Sequence, residues 1–156
     1  MDLKIDKEFK ALLQPLSKEE YEQLKQNLID DGCREPLVAW GDIIVDGHNR
    51  FEICTANNIA FEVVRKSFAD RQEAMDWIDK NQLGRRNMTP DQLIYVQGRI
   101  YERRKKYIGE HKGNQHTKLE WRQNGAIPNG RTRDALAKEL GVGSRTLNRA
   151  AAGWIV

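Results

Sequence analysis

The stretch Val45-Asp46-Gly47-His48-Asn49-Arg50-Phe51-Glu52 decides the fold of the first half of the chain. It sets a glycine and several polar side chains between an apolar run and a helical pattern, and this order predicts a strand, a tight turn and a helix. The predicted helix is short and carries Phe51, Ile53 and Cys54 before Asn57-Asn58 ends it.

Backbone amides at such a helix start are suited to bind a phosphate, because they have no intrahelical acceptor and the helix dipole favours negative charge. Arg50 stands beside them and adds a cation. Two plainer interpretations stay open. A lone glycine is common in ordinary turns, and Arg50 has Asp46 and Glu52 nearby in sequence as local ion-pair partners.

Outward from this turn, short apolar runs predict the rest of a small sheet. Residues 36–40 and 43–45 flank Gly41-Asp42, which is the pattern of a hairpin with a two-residue turn. Residues 61–64 predict a further strand. The first half of the chain therefore predicts a sheet of short strands.

Two helical patterns flank these strands. Ser17 and Glu20 form a capping-box pattern, in which each side chain bonds the other residue's amide, and Gly32 ends the helix that follows. A second pattern runs over 70–82, with Ala74, Met75 and Ile78 on its buried side. We therefore predict a mixed α/β domain over residues 1–86, within an α+β chain.

Net charge differs sharply between the two halves of the chain. Residues 1–82 hold 11 Lys and Arg against 17 Asp and Glu, a net charge of −6, whereas residues 83–156 hold 15 against 6, a net charge of +9. A basic half joined to an acidic one favours contact between the second half and a polyanion, although a solvated cationic surface gives the same composition.

The second half predicts a helical domain over residues 87–156. Thr89-Pro90 is a strong helix start, with Thr as the cap and Pro at the first helical position. The helix that follows continues into a basic run at 103–106, and residues 109–131 have few apolar anchors and are interpreted as a mobile loop.

Residues 133–150 form the most specific local pattern, that of a helix-turn-helix. Ala137 supplies the small residue that two closely crossing helices need, and Gly141 suits a turn at positive φ. Apolar side chains at the required offsets fill the angle between the helices: Leu136, Leu140, Val142, Leu147 and Ala150. An ordinary helical hairpin without a ligand is the alternative.

Ser144 is predicted to cap the second helix of this pair. The residues that then face outward are of the types that bond base edges and phosphates. With Ser144 itself, the candidate DNA contacts are Arg145, Thr146, Asn148 and Arg149.

The sequence also weighs against several classes of protein. No apolar run approaches the roughly 20 residues that span a bilayer, and the N-terminus lacks the apolar core of an export signal. Two cysteines, Cys33 and Cys54, are too few for a disulfide framework and are expected to stay reduced, as in a cytoplasmic protein, and to be dispensable for activity. The three histidines are too scattered to suggest a zinc site.

The motifs, taken in order, resemble the ParB/sulfiredoxin superfamily. Three stretches match its three boxes, and the helix-turn-helix pattern follows where ParB proteins carry theirs. The matching stretches are residues 36–38, 45–52 and 82–90. The resemblance covers nearly the whole chain.

The resemblance implies a nucleotide site. In ParB proteins a Gly-Glu-Arg-Arg box and a Glu-Asn-x-x-Arg box hold the triphosphate of CTP and its Mg²⁺. Carried over by position, these boxes correspond here to Gly47, His48, Asn49, Arg50, Asn81, Gln82 and Arg85. CTP or another nucleotide with Mg²⁺ is therefore the expected cofactor. Asn81 replaces the acidic residue near the metal, so hydrolysis is not expected, and any activity would be weak CTP or related nucleotide hydrolysis.

The resemblance further implies a DNA-binding protein of plasmid, phage or chromosome partition, or of replication or transcription control. Expected partners are double-stranded DNA and a second copy of the chain, at the nucleoid or a plasmid in the cytoplasm. No catalytic residue and no metal ligand is assigned.

A small enzyme of the same superfamily is the alternative. A sulfiredoxin needs a cysteine where this chain has His48. A free-serine-kinase-like reaction would use Glu35 or Asp46 as base and His48 as phosphate ligand, and a nuclease would need a cluster of acidic residues that the sequence does not spell out.

Overall fold

The computed structural model describes residues 2–84, 88–110 and 132–152, and its contacts divide the chain into two compact units, Met1–Gln82 and Leu83–Val156. The boundary predicted after residue 86 falls within residues 85–87, outside the described residues, and stays a prediction. The predicted mixed α/β first half followed by helices is confirmed.

The first unit contains three strands and four helices. The strands are β1 (Leu37–Trp40), β2 (Ile43–Asp46) and β3 (Val63–Arg65). The helices are α1 (Lys7–Ala11), α2 (Lys18–Asp31), α3 (His48–Ala56) and α4 (Arg71–Leu83). The second unit contributes α5 (Pro90–Glu110), α6 (Thr132–Leu140) and α7 (Ser144–Ala152).

The sheet has the order β2-β1-β3, with β1 antiparallel to β2 and parallel to β3. The hairpin prediction is confirmed: Trp40 pairs with Ile43 across Gly41-Asp42, and Gly41 has a positive φ of 61°. A bulge between Val38 and Ala39 shifts the register toward the end of β2.

The third strand begins two residues later than the sequence pattern indicated. Ile59 and Phe61 pack against the buried cluster of Leu28, Ile53 and Cys54, and the ladder with β1 starts only at Val63. Phe61, the first residue of the predicted strand, therefore packs against the core and does not pair with β1.

The predicted capping box at Ser17 is present, and the predicted helix start at Thr89 has one as well. The Ser17 hydroxyl accepts from the Glu20 amide at 3.2 Å while the Glu20 carboxylate accepts from the Ser17 amide at 2.8 Å. Thr89 and Gln92 exchange the same pair of bonds at 3.2 and 3.0 Å. Each cap contributes about 1 kcal/mol to its helix.

The N-terminal segment was not predicted as an element. The Asp6 carboxylate accepts from the amides of Glu8 and Phe9 and so begins α1, a helix of five residues that is too short to reveal its periodicity. Arg71 at the start of α4 bonds Asp6 at 2.6 Å and lies 4.4 Å from the centre of the Phe9 ring. A contact 65 residues away in sequence thus secures this segment.

In the second unit, α5 continues through Glu110, so it takes in the first two residues of the predicted 109–131 loop. The rest of that prediction lies outside the described residues. No helix in the described ranges is long and apolar enough to cross a bilayer.

Helices α5 and α7 approach each other closely at Gly98. A Cβ on Gly98 would lie 3.0 Å from the carbonyl carbon and 3.2 Å from the Cβ of Ala150. The obstructing atoms include backbone, which cannot rotate away as a side chain can. A small residue is therefore required at the crossing of α5 and α7.

We expect Gly98→Leu to lower the free energy of unfolding by about 1–3 kcal/mol, because an added side chain must push α7 from its place. The matched control is Lys105→Leu, which puts the same side chain at an exposed position of the same helix. Urea unfolding followed by circular dichroism measures both. Equal midpoints for the two variants would contradict the close packing of α5 on α7.

Candidate functional site

The turn between β2 and α3 is closed by Gly47. Its φ of 91° lies in the left-handed region, and a Cβ there would come 2.5 Å from Cδ2 of Leu37 and 3.1 Å from the Arg50 guanidinium. Any L side chain would be strained in conformation and would also collide with β1. The predicted glycine turn is confirmed, and Gly47 alone separates the end of β2 from the start of α3.

Helix α3 begins without a side-chain cap. The first hydrogen bond of α3 runs from the Phe51 amide to the Gly47 carbonyl, at 2.8 Å. The amides of His48, Asn49 and Arg50 come before it and therefore have no acceptor within the helix, as in the first turn of every α-helix. The positive end of the α3 dipole lies at the same place. This helix start can therefore accept an anion.

The imidazole of His48 is buried at this helix start. Its exposed fraction is 1%, and neither ring nitrogen has a hydrogen-bond partner. Burial lowers the pKa of His48 below its ordinary value of 6.5, and the nearby Asp46 carboxylate opposes the shift only in part. A buried polar ring without partners is costly, and such groups call for an explanation such as a ligand.

Arg50 is held by two carboxylates. Its guanidinium donates to Glu35 at 2.5 Å and to Asp46 at 3.1 Å, while its Nε is buried and has no partner. The local pairing with Asp46 that the sequence offered as an alternative is therefore present. Glu52, the other local candidate, instead pairs with Lys10.

The partner role of Glu35 was missed by sequence reasoning. Glu35 lies two residues before β1, and β1 is antiparallel to β2, so the start of β1 lies beside the end of β2. The register of the predicted hairpin could have indicated that Glu35 lies near Asp46 and Arg50. The Glu35 side chain is 78% exposed, whereas that of Arg50 is 18% exposed, so Glu35 is the partner that can leave.

The remaining residues of the predicted nucleotide site lie elsewhere or outside the described ranges. Gln82 is 2% exposed, and its amide accepts from the Gln14 amide at 3.1 Å and donates to the Leu12 carbonyl at 2.6 Å. These bonds fasten α4 to the segment after α1. Asn81 is exposed on α4, and Arg85 lies outside the described residues.

The residues at the α3 start fit a phosphate better than a metal ion. Free amides, a buried unpartnered imidazole and a partly satisfied guanidinium are all groups that bind oxyanions. Within the described ranges, no group of three or more His, Cys, Asp and Glu side chains is arranged to hold a metal.

The second candidate surface lies on α6 and α7. These helices occupy the predicted positions and are joined by a three-residue turn in which Gly141 has a φ of 67°. Leu136, Ala137 and Leu147 are buried between the helices and α5, as their offsets predicted. Arg104 on α5 holds Glu139 on α6 through two bonds, at 2.7 and 3.4 Å, and so fixes the pair to its support.

The predicted cap at Ser144 is corrected. The carbonyl of Gly143 accepts from the amides of Thr146 and Leu147, so α7 begins one residue earlier than a Ser144 cap would allow. The Ser144 hydroxyl instead donates to the Asp134 carboxylate at 2.6 Å. Ser144 therefore links α7 to α6. Its hydroxyl was expected to accept from an amide of α7 and instead donates to a side chain of α6.

Four of the predicted DNA contacts line the outer face of α7. Leu147 and Ala150 are buried, and the residues on the opposite side are exposed: Arg145, Thr146, Asn148 and Arg149. An open depression of about 580 Å³ on α5 is lined by four cations and one acid, Arg99, Glu102, Arg103, Lys105 and Lys106. Both surfaces are suited to an anionic partner.

We expect acid to destabilise the first unit through His48. Its pKa is lower in the folded state, so the unfolded chain binds the proton more readily, and stability is full above about pH 6.5 and falls as pH drops below it. The free energy of unfolding of His48→Phe should fall less between pH 7.5 and 5.5 than that of the natural chain. Parallel pH profiles would show that His48 does not carry this dependence.

Comparisons with known proteins bear on the fold. No protein-family model and no curated protein matches the chain. Among solved structures, a pNOB8-like ParB N-domain is 21% identical with a TM-score of 0.66, over 96% of this chain and 60% of that one. Another structure, of a Pnob8-like ParB-N domain, is 18% identical with a TM-score of 0.64, over 96% of this chain and 64% of that one.

The chain thus spans about three fifths of the length of the solved chains that it matches. The predicted resemblance is confirmed at the level of structure: the chain has the fold of a ParB N-domain.

Proposed function

We propose that the protein is a ParB-like DNA-binding protein that contacts double-stranded DNA through α7. The observation that carries the proposal is the two-sided character of this helix. Leu147 and Ala150 anchor one side, while Arg145, Asn148 and Arg149 occupy the other. Arg and Asn are the residue types that bond guanine and adenine edges in the major groove.

The surroundings of α7 support the same proposal. Residues 83–156 carry a net charge of +9, and the basic depression on α5 belongs to the same unit. The Arg104–Glu139 pair links α6 to α5 and the Ser144–Asp134 bond links α7 to α6, and such contacts help to hold side chains in register with bases. Phosphate contacts would supply the larger part of the affinity and base contacts the specificity.

We further propose that this activity serves partition, replication or transcription of a plasmid, phage or chromosome, with self-association of the chain at the nucleoid or a plasmid in the cytoplasm. This part of the proposal rests on the ParB N-domain fold together with the basic helical unit. The names of the matching structures identify ParB N-domains.

A second proposed function is phosphate binding at the start of α3, with CTP or another nucleotide as the natural ligand. The specific observation is the buried His48, whose ring nitrogens lack partners beside an uncapped helix start. Gly47 would supply the turn that begins α3, and Arg50 would neutralise the phosphate. His48 and Asn49 would lie at the first turn, and Asn81 and Arg85 remain predicted ligands. The buried amide of Gln82 already bonds Leu12 and Gln14, so we leave it out of the proposed site.

The bound nucleotide would carry Mg²⁺, which neutralises phosphate charge. We assign no hydrolysis step, because Asn81 stands where ParB proteins carry an acidic residue. The enzymatic alternative gains no support from the geometry. Both carboxylates that a kinase-like reaction would use as base, Glu35 and Asp46, are ion-paired with Arg50.

Removing the α7 arginines should weaken DNA binding. We expect Arg145→Ala and Arg149→Ala each to cost about 1–3 kcal/mol if the side chain bonds a base, with a shallower dependence on salt if it bonds a phosphate. Fluorescence anisotropy with labelled duplex DNA at several fixed salt concentrations measures both quantities.

The matched control is Arg34→Ala, which removes the same charge from an exposed position of the first unit. It should leave DNA affinity nearly unchanged. If the Arg145/Arg149 double variant binds DNA as tightly as Arg34→Ala does, the proposed role of α7 is wrong.

The phosphate site predicts opposite effects for the two members of one ion pair. Arg50→Ala should weaken binding of CTP or inorganic tripolyphosphate about 10- to 100-fold, because a charge-assisted bond is lost. Glu35→Gln should tighten it by about 0.2–1 kcal/mol, because an exposed carboxylate no longer competes for Arg50. Isothermal titration calorimetry measures both affinities.

Glu52→Gln is the control for the second variant, since Glu52 pairs with Lys10 rather than with Arg50. It should bind the ligand less tightly than Glu35→Gln does. An Arg50→Ala variant that stays folded and binds tripolyphosphate normally would rule out the site.

A further inference from the structure

The two cysteines of the chain belong to one apolar cluster of the first unit. Cys54 lies on α3, fully buried in a cluster with Leu28 and Ile53. Cys33 follows the glycine that ends α2 and packs against the same cluster. The packing of Cys33 against the cluster that contains Cys54 brings the two thiols into one small region, and neither is in a disulfide.

The two thiols differ in access. Cys33 is half-buried, and its Sγ lies 3.3 Å from the carbonyl oxygen of Glu35. Burial, together with the neighbouring Cys33, raises the pKa of the Cys54 thiol from 9.0 to about 11. A reagent from solvent therefore reaches Cys33 first, and Cys54 is protected from direct attack.

We propose that Cys33 and Cys54 form a reversible intrachain disulfide when the protein meets a low-molecular-weight disulfide such as oxidised glutathione. The Cys33 thiolate attacks one sulfur of the reagent, the sulfur–sulfur bond breaks, and one thiol leaves. Cys54 loses its proton and attacks the Cys33 sulfur, releasing the second thiol. Two electrons pass from the protein thiols to the reagent, and two protons accompany the two thiols released.

The disulfide acts on the segment that positions Arg50. Residues 33–36 carry both Glu35, whose carboxylate holds the Arg50 guanidinium, and the Pro36 carbonyl, which lies 3.5 Å from it. A bond from Cys33 to α3 takes the Cys33 thiol away from the Glu35 carbonyl and restrains this segment against the helix that also carries Arg50. The disulfide would therefore join this segment covalently to α3 beside the proposed phosphate site, although its formation does not depend on that site.

Because the chain contains two cysteines in all, any intrachain disulfide must join Cys33 to Cys54. The test is incubation of the full chain with oxidised glutathione at pH 8.5, where more thiolate is present, followed by intact-mass measurement. The expected main product is a monomer lighter by two hydrogen atoms that returns to the original mass with dithiothreitol. A lasting glutathione adduct or a disulfide-linked dimer as main product would overturn the proposal.

A glutathione redox titration then tests whether the fold holds the two sulfur atoms close together or whether they meet only by chance. The native chain should give an effective thiol concentration at least about tenfold above that of the same chain in concentrated urea, since the fold holds the two sulfurs together. Equal or lower values in the native state would overturn the proposal. Cys54→Ala is the control, and it should stop at the Cys33–glutathione adduct.

Discussion

The first unit depends on the contact between Gly47 and Leu37. A Cβ at residue 47 would lie 2.5 Å from the Leu37 side chain, so a larger residue at this position would force Leu37 or the start of α3 to shift. The same glycine has the positive φ that turns β2 directly into the helix. The first turn of α3, with His48 and Arg50, therefore begins directly after this glycine.

A second close approach organises the helical unit in the same way. Gly98 lets α7 lie against α5 at its backbone, while Arg104 and Ser144 fasten α6 to its neighbours through ion-pair and hydrogen-bond contacts. These contacts hold one face of α7 inward and leave its polar face outward. The proposed DNA surface is therefore a consequence of helix packing and of the basic composition of this half of the chain.

The ion pairs of Arg50 limit how the proposed phosphate site would bind an anion. An anion must compete with Glu35 and Asp46 for the same guanidinium, and the two competitors differ in exposure: the side chain of Glu35 is 78% exposed and that of Asp46 is 13% exposed. Glu35 costs little to displace because exposed ion pairs contribute little. Asp46 can stay and keep Arg50 oriented toward the helix start.

The sequence by itself determined the features that depend on local physics. Capping boxes at Ser17 and Thr89, the hairpin around Gly41-Asp42 and the helices on either side of Gly141 each involve residues close together in the chain, where side-chain chemistry and allowed φ values act directly. The stretches 36–38, 45–52 and 82–90, followed by the helix-turn-helix pattern, also resembled ParB proteins, and the comparison with solved structures confirmed the ParB N-domain fold.

Only the tertiary structure decided the contacts between distant residues. Glu35 reached Arg50 because β1 and β2 are antiparallel, Gln82 was drawn into bonds with the segment 12–14, and the Ser144 hydroxyl bonded Asp134 instead of an amide of its own helix. In each case a polar group had several partners of equal chemistry available. Which one it bonds depends on where the packed elements bring its neighbours, and local sequence does not contain that information.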